Sequence, residues 1–203
     1  MTRLASIVKI CGITNPDDAL ASVAAGASAI GFNFWSGSPR YIQPGEAARI
    51  GALLPAGILR VGVFVDETAE RVAATAREAG LDVVQLHGGP AALPDLRCWR
   101  AYRVGADGAL AIDNVHTAEA ILLDTAAPGL RGGTGRTFPW EAARDLAWRV
   151  VLAGGLDASN VREAIRAARP WGVDACSRLE SSPGRKDHKK MKAFITAALA
   201  ELT

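Results

Sequence analysis

An alternation of two textures, repeated eight times, constrains what this chain can fold into more than any other feature. Short runs of β-branched and other apolar residues end in Gly, Asp, Asn or Ser, and Ala-, Arg- and Glu-rich segments with helical periodicity follow. Strands are predicted at Val8–Ile13, Ala29–Phe34, Leu59–Val65, Val83–His87, Trp99–Val104, Ala120–Thr125, Arg149–Ala153 and Gly172–Ser177. Helices are predicted near Asp17–Ala25, Pro44–Leu54, Ala69–Ala79, Ala91–Leu96, Glu141–Ala147, Ser159–Ala168 and Lys186–Leu202. The stretch Ala106–Asn114, short and rich in Gly and Asp, carries no clear helical pattern. Strand then helix, at spacings of roughly 20–30 residues, argues for a parallel sheet. An open doubly wound sheet usually has fewer strands and places its glycine fingerprint after the first; here the glycine-rich loops follow strands six and seven. Eight units predict an α/β fold, a (β/α)8 TIM barrel with a parallel eight-stranded sheet, at the short end of the roughly 200–400 residues usual for it. With no Pro/Ser-rich linker and no shift in composition, residues 1–203 are expected to form a single barrel domain.

Composition narrows the function classes. The 203 residues are 49% hydrophobic, enough for one substantial core. The net charge of +2, with no basic block interleaved with aromatics, argues against a nucleic-acid partner. The densest basic run, Arg185-Lys186-Asp187-His188-Lys189-Lys190 with Lys192, reads as the solvated face of the last helix. Three widely spaced cysteines, Cys11, Cys98 and Cys176, form neither a disulfide framework nor a metal-ligand pattern, and suit a reducing compartment. No signal-peptide pattern precedes Lys9, and no apolar run approaches a membrane span. The expectation is a cytoplasmic protein with no membrane partner and no metal.

In a barrel of this kind the chemistry sits at the C-terminal ends of the strands. Strand one ends at Cys11, with Lys9 two residues earlier and therefore on the same face. A nearby ammonium favours the thiolate, the reactive form; a buried inert thiol is the other reading of that segment. Asp124, at the end of strand six, shares the face of Leu122 and points inward. A carboxyl at an apolar rim has a raised pKa, which suits a general acid, although a turn or helix-cap role fits Thr125-Ala126-Ala127-Pro128 equally well. His87 shares a face with Gln85 and is either an acid, base or donor, or a structural histidine. Arg40 follows Pro39 in the loop after strand two, either gripping a carboxylate or phosphate with two hydrogen bonds or standing free at the surface. The loop Gly132-Gly133-Thr134-Gly135 either lets amides approach an oxyanion or is a plain turn. Gly154-Gly155 after strand seven and Ser177 after strand eight lie where barrels build a phosphate site from amides and a short helix. Asp174 shares a face with Cys176 and needs a partner inside the barrel, for which Lys9 is the candidate.

Taken together, these residues resemble the phosphoribosylanthranilate isomerase family. The resemblance is carried by Lys9-Ile10-Cys11-Gly12-Ile13-Thr14, Gly31-Phe32 through Ser38-Pro39-Arg40-Tyr41, Val61-Gly62-Val63-Phe64-Val65, Gln85-Leu86-His87-Gly88, Leu123-Asp124, Gly132-Gly133-Thr134-Gly135 with Phe138 and Trp140, Leu152-Ala153-Gly154-Gly155-Leu156 with Asn160-Val161, and Gly172-Val173-Asp174 through Glu180, Pro183-Gly184 and Lys186-Asp187. It implies an Amadori rearrangement of N-(5-phospho-β-D-ribosyl)anthranilate, the third step from chorismate in tryptophan biosynthesis, with no cofactor. It further implies Asp124 as general acid, Cys11 as general base and Arg40 on the anthranilate carboxylate. His87, Gly133 and Gly135 would contact substrate, and Gly154, Gly155, Ser177 and Arg178 its phosphate. The partner is then a small phosphorylated substrate, and the protein a monomer or homodimer. Three positions depart from the family pattern: Cys176-Ser177-Arg178 in place of two serines and a small residue, Pro139 in place of an acidic residue, and Asn33 in place of an apolar one. A histidine-pathway barrel isomerase performs the same rearrangement on another aminoaldose but uses an aspartate where this chain has Cys11.

Overall fold

A computed structural model describes residues 6–90, 93, 95–112, 117–125 and 138–202. Eight parallel strands close into a barrel in sequence order: β1 (Ile7–Ile10), β2 (Ala29–Asn33), β3 (Leu59–Val65), β4 (Val83–His87), β5 (Cys98–Val104), β6 (Ala120–Thr125), β7 (Val150–Leu152) and β8 (Gly172–Ala175). The last strand pairs with the first, Lys9 opposite Asp174 and Ile10 opposite Ala175. Alternation decides what each strand shows to either side. Val8, Ile10, Ile30, Phe32, Ile121, Leu123, Leu152 and Val173 face out and pack with the helices in the largest apolar cluster. Ile7, Ala29, Val61, Val83, Trp99, Ala120, Leu122 and Val151 form a separate cluster that fills the barrel itself. Trp99 is wholly buried there, edge-on to Trp171.

The helices start where the sequence supplies caps. In α1 (Pro16–Ala24), Asn15 accepts from the Asp18 amide, Pro16 opens the first turn, and Asp17 and Asp18 sit at the positive end of the helix dipole. Helix α2 spans Pro44–Gly51, and α3 (Ala69–Ala79) is capped by Thr68 and stopped by Gly80 in the left-handed conformation. Helix α4 is Val161–Ala168 and α5 is His188–Leu199, the latter capped by Asp187 on the amides of Lys189 and Lys190.

Several expectations need correction. The helix expected over Glu141–Ala147 is a single 3-10 turn, Trp140–Ala143, after which Arg144 is extended and Asp145 takes a positive φ of 57° that no helix continues. Of the helix expected over Ala91–Leu96, residues 91, 92 and 94 lie outside the described residues, and Asp95 and Leu96 form a turn and a bend. The last helix begins at His188 rather than Lys186, because residues 180–186 fold into a small antiparallel hairpin, β9 (Glu180–Ser182) and β10 (Arg185–Lys186). Lys186 is therefore no part of a solvated helix face: its side chain is fully buried against Glu180. Among the described residues no helix is long and apolar enough to cross a membrane.

Candidate active site

The C-terminal mouth of the barrel opens into two joined lobes. Cys11, Asn33, Trp35, Ser38, Arg40, Gln85, His87 and Asp124 line the first, a cleft of about 600 Å³ measured out to open solvent. Asp124, Gly154, Gly155, Ser177 and Arg178 line the second, of about 340 Å³. Asp124, Asp174 and Cys176 belong to both and form the waist between them.

Below the waist lies one buried ion pair. Lys9 has no solvent exposure, and its Nζ donates to Asp174 Oδ1 at 3.0 Å. The partner expected from the strand faces is the one observed, placed by direct cross-strand register. Burial alone would drive the ammonium to shed its proton; the Asp174 carboxylate and the Cys11 thiolate outweigh it, and the pKa of Lys9 is raised.

Cys11 follows the last residue of β1, its amide still donating to Ala175 O at 3.0 Å. A hydrogen bond from the Cys176 thiol, then the charge of Lys9, overcome burial and lower the Cys11 thiol to about 7. The same hydrogen bond, with burial, pushes Cys176 well above the ordinary thiol range. Between Cys11 and the loop, Gly12 takes a φ of +73°, and a Cβ there would lie 2.7 Å from Arg40 Cδ and 2.9 Å from Cys176 Sγ. Only glycine satisfies both the turn and the approach of the arginine.

Asp124 is the next-to-last residue of β6, on the inward face of Leu122, as alternation requires. Burial, reinforced by the Asp174 carboxylate, raises its pKa to about 6, against the pull of the Thr125 amide on Oδ1 at 2.8 Å. The two groups are thus shifted in opposite directions, the thiol toward its anion and the carboxyl toward its acid form.

His87 and Gln85 meet side by side, Gln85 Nε2 and His87 Nε2 2.9 Å apart, both on the cleft wall. Gly154 and Gly155 have φ of +85° and +65° and turn the chain at the end of β7. Ser177 opens a 3-10 turn, Ser177–Leu179, directly after β8. Arg178 lines the second lobe while its Nε holds Asp157 Oδ2 at 2.6 Å. Gly133 and Gly135, with the rest of the Gly132–Gly135 loop, lie outside the described residues. Asn33 turns its Oδ1 to the Trp35 amide at 2.9 Å and so shapes the cleft edge.

The reading of the residues missed what holds Arg40. Its guanidinium is no free surface group: Nε and Nη2 donate to Glu180 Oε1 and Oε2 at 2.8 and 2.7 Å. Glu180 stands 140 residues further along the chain, and no local pattern pairs the two. Among the described residues no group of three or more His, Cys, Asp or Glu side chains is arranged to hold a metal ion.

A closed barrel of eight parallel strands with a cleft lined by Cys11, Arg40, His87 and Asp124 at its C-terminal mouth defines a (β/α)8-barrel protein. The family model for N-(5'-phosphoribosyl)anthranilate (PRA) isomerase matches residues 8–197. An N-(5'-phosphoribosyl)anthranilate isomerase from Solibacter usitatus is 52% identical over 199 residues, covering 97% of this chain and 98% of the relative. The crystal structure of phosphoribosyl anthranilate isomerase from Thermotoga maritima superposes with a TM-score of 0.84 at 42% identity, covering 96% of this chain and 99% of that one. Another such isomerase, solved in complex with reduced 1-(o-carboxyphenylamino)-1-deoxyribulose 5-phosphate, gives a TM-score of 0.81 at 40% identity over 96% and 99% of the two chains. The chain belongs to the phosphoribosylanthranilate isomerase family, the isomerases of tryptophan biosynthesis.

Proposed function

We propose that this chain converts N-(5-phosphoribosyl)anthranilate to 1-(2-carboxyphenylamino)-1-deoxyribulose 5-phosphate with Asp124 as general acid and Cys11 as general base. One observation carries the assignment of roles: both side chains line the same cleft, and their surroundings push one toward its protonated form and the other toward its anion. Asp124 gives its proton to the furanose ring oxygen, the bond from that oxygen to C1 breaks, and the nitrogen lone pair closes a C1–N double bond. The Cys11 thiolate then takes the proton from C2, and the electron pair of that C–H bond makes the C1–C2 double bond of an enolamine. Reprotonation at C1 and loss of the C2 hydroxyl proton leave the ketone.

The two lobes suit the two ends of this substrate. Arg40 and His87 stand in the lobe for the anthranilate ring, with Arg40 nearest in charge to its carboxylate. Gly154, Gly155, Ser177 and Arg178 form the lobe for the phosphate, where positive-φ glycines bare amides and Arg178 adds a cation. The chain acts as a monomer or a homodimer, each barrel carrying its own site. The whole chain works as one barrel domain in the cytoplasm, on a small phosphorylated substrate and without nucleic acid.

The test is turnover of freshly generated phosphoribosylanthranilate by the purified protein, followed as loss of its fluorescence, beside the aminoaldose of histidine biosynthesis. Catalysed loss of the anthranilate signal is expected; a folded protein that turns over only the histidine-pathway compound would overturn the assignment.

A further inference from the structure

Arg40 is held by a buried network rather than by its loop. Glu180 receives both its Nε and its Nη2, and the Glu180 side chain is only 5% exposed. Glu180 Oε1 also accepts from Lys186 Nζ at 2.9 Å and from the Gly184 amide at 3.4 Å. Lys186, itself fully buried, reaches the Cys176 carbonyl at 3.2 Å and so ties the hairpin β9–β10 to the end of β8. The two cations thus share one carboxylate, and the guanidinium is fixed in plane and direction before any ligand arrives. Its remaining nitrogen, Nη1, is the part not committed to Glu180, and the side chain forms part of the cleft wall beside Cys11 and Ser38.

We propose that Glu180 is a positioning residue for substrate recognition: by occupying one edge of Arg40 it presents the other as a preformed receptor for the carboxylate on the substrate's aromatic ring. It acts on affinity for that ring, not on the proton transfers. A fixed guanidinium loses little freedom on binding, whereas one released from Glu180 must be ordered by the ligand itself. The inference rests on the reading of Arg40 as the carboxylate contact.

A double-mutant cycle tests it, using Glu180→Gln, Arg40→Ala and the combination. Two probes are compared: reduced 1-(o-carboxyphenylamino)-1-deoxyribulose 5-phosphate and its analogue lacking the ring carboxylate. Glu180→Gln is expected to raise Kd for the carboxylated probe roughly tenfold while leaving the analogue within about twofold, and to hold kcat within about threefold. In the Arg40→Ala background the same change should add less than about twofold. Equal weakening of both probes, an unchanged Kd for the carboxylated one, or a full effect without Arg40 would overturn the role of Glu180. Should Arg40→Ala itself leave the discrimination between probes intact, the Arg40 reading fails as well, and the two failures are told apart by that single variant. If the unpaired Lys186 prevents Glu180→Gln from folding, Glu180→Gln with Lys186→Met removes both charges and enters the cycle in its place.

Discussion

Replacing Asp124 with Asn should stabilise the protein above neutral pH while removing its acid. In the fold the carboxyl titrates at about 6, against 3.8 for an ordinary aspartate, because it is buried and faces Asp174. A folded pKa above the unfolded one means that stability is complete below the unfolded value and is lost as pH climbs through the folded one. Each pH unit of the gap is worth about 1.4 kcal/mol, so at pH 8 the ionised Asp124 destabilises the fold by about 3 kcal/mol. At pH 4.5 the carboxyl is still protonated in the fold, and the penalty falls to roughly 1 kcal/mol. The amide keeps an oxygen for the Thr125 N–H, so the hydrogen bond at Oδ1 survives. For a chain of this size ~1 kcal/mol moves Tm by roughly 2–4 °C, which sets the expected gain at about 6–12 °C at pH 8 and roughly 2–4 °C at pH 4.5. Thermal melts by circular dichroism at the two pH values decide it. A gain that is the same at both, or an Asn variant less stable than wild type at pH 8, would refute the view that this carboxyl is held in an environment hostile to its charge.

The pH dependence of kcat/KM should be bell-shaped and peak near 6.5, falling in acid as Cys11 takes up its proton and in base as Asp124 loses its own; a flat profile from about pH 5.5 to 8 would contradict it. Because the acid titrates below the base, only roughly one free-enzyme molecule in twenty carries both in the productive state at the optimum. Lys9→Met strands a buried carboxylate and should destabilise by about 3–5 kcal/mol, and it should raise the pKa of Cys11. Alkylation of Cys11 against pH, read by mass spectrometry of its peptide, checks the second effect, which an unshifted profile would rule out. Gly154→Ala, at a φ of +85°, presses a Cβ against Thr125 Oγ1 and to 2.7 Å from the Thr125 amide and 2.8 Å from Asp124 Oδ1, and should lower kcat by about tenfold or more; a variant with wild-type kcat would show that the end of β6 has more room than the geometry allows.

Much of this architecture was legible in the chain because period-2 alternation reports directly on which way a side chain points. That rule put Lys9 beside Cys11 and sent Asp124 inward with Leu122; it made Lys9 a candidate partner for Asp174, and the pairing of β1 with β8 brings the two together. It fails where the contact is made by loops. Nothing near Arg40 signals Glu180, and nothing near Lys186 signals burial, because both depend on a hairpin that folds back after β8 over residues rich in Ser, Pro and Gly. A charge run next to a helix pattern looks solvated whether or not one member turns under the hairpin. The helical stretch from Glu141 likewise reads as longer than it is, since periodicity cannot show that Asp145 leaves the helical region. The proposed acid–base pair was visible as two residues near strand ends, whereas the direction of each pKa shift depends on burial and on Cys176, Lys9 and Asp174, which only the fold brings together.

The most direct measurement is the turnover of phosphoribosylanthranilate by wild type, Cys11→Ala and Asp124→Asn, each shown to be folded. General acid–base roles for the two residues predict a drop of about 100-fold or more in kcat for either variant. A folded variant of either kind that keeps turnover within about tenfold of wild type would contradict the assignment of Cys11 as base or Asp124 as acid.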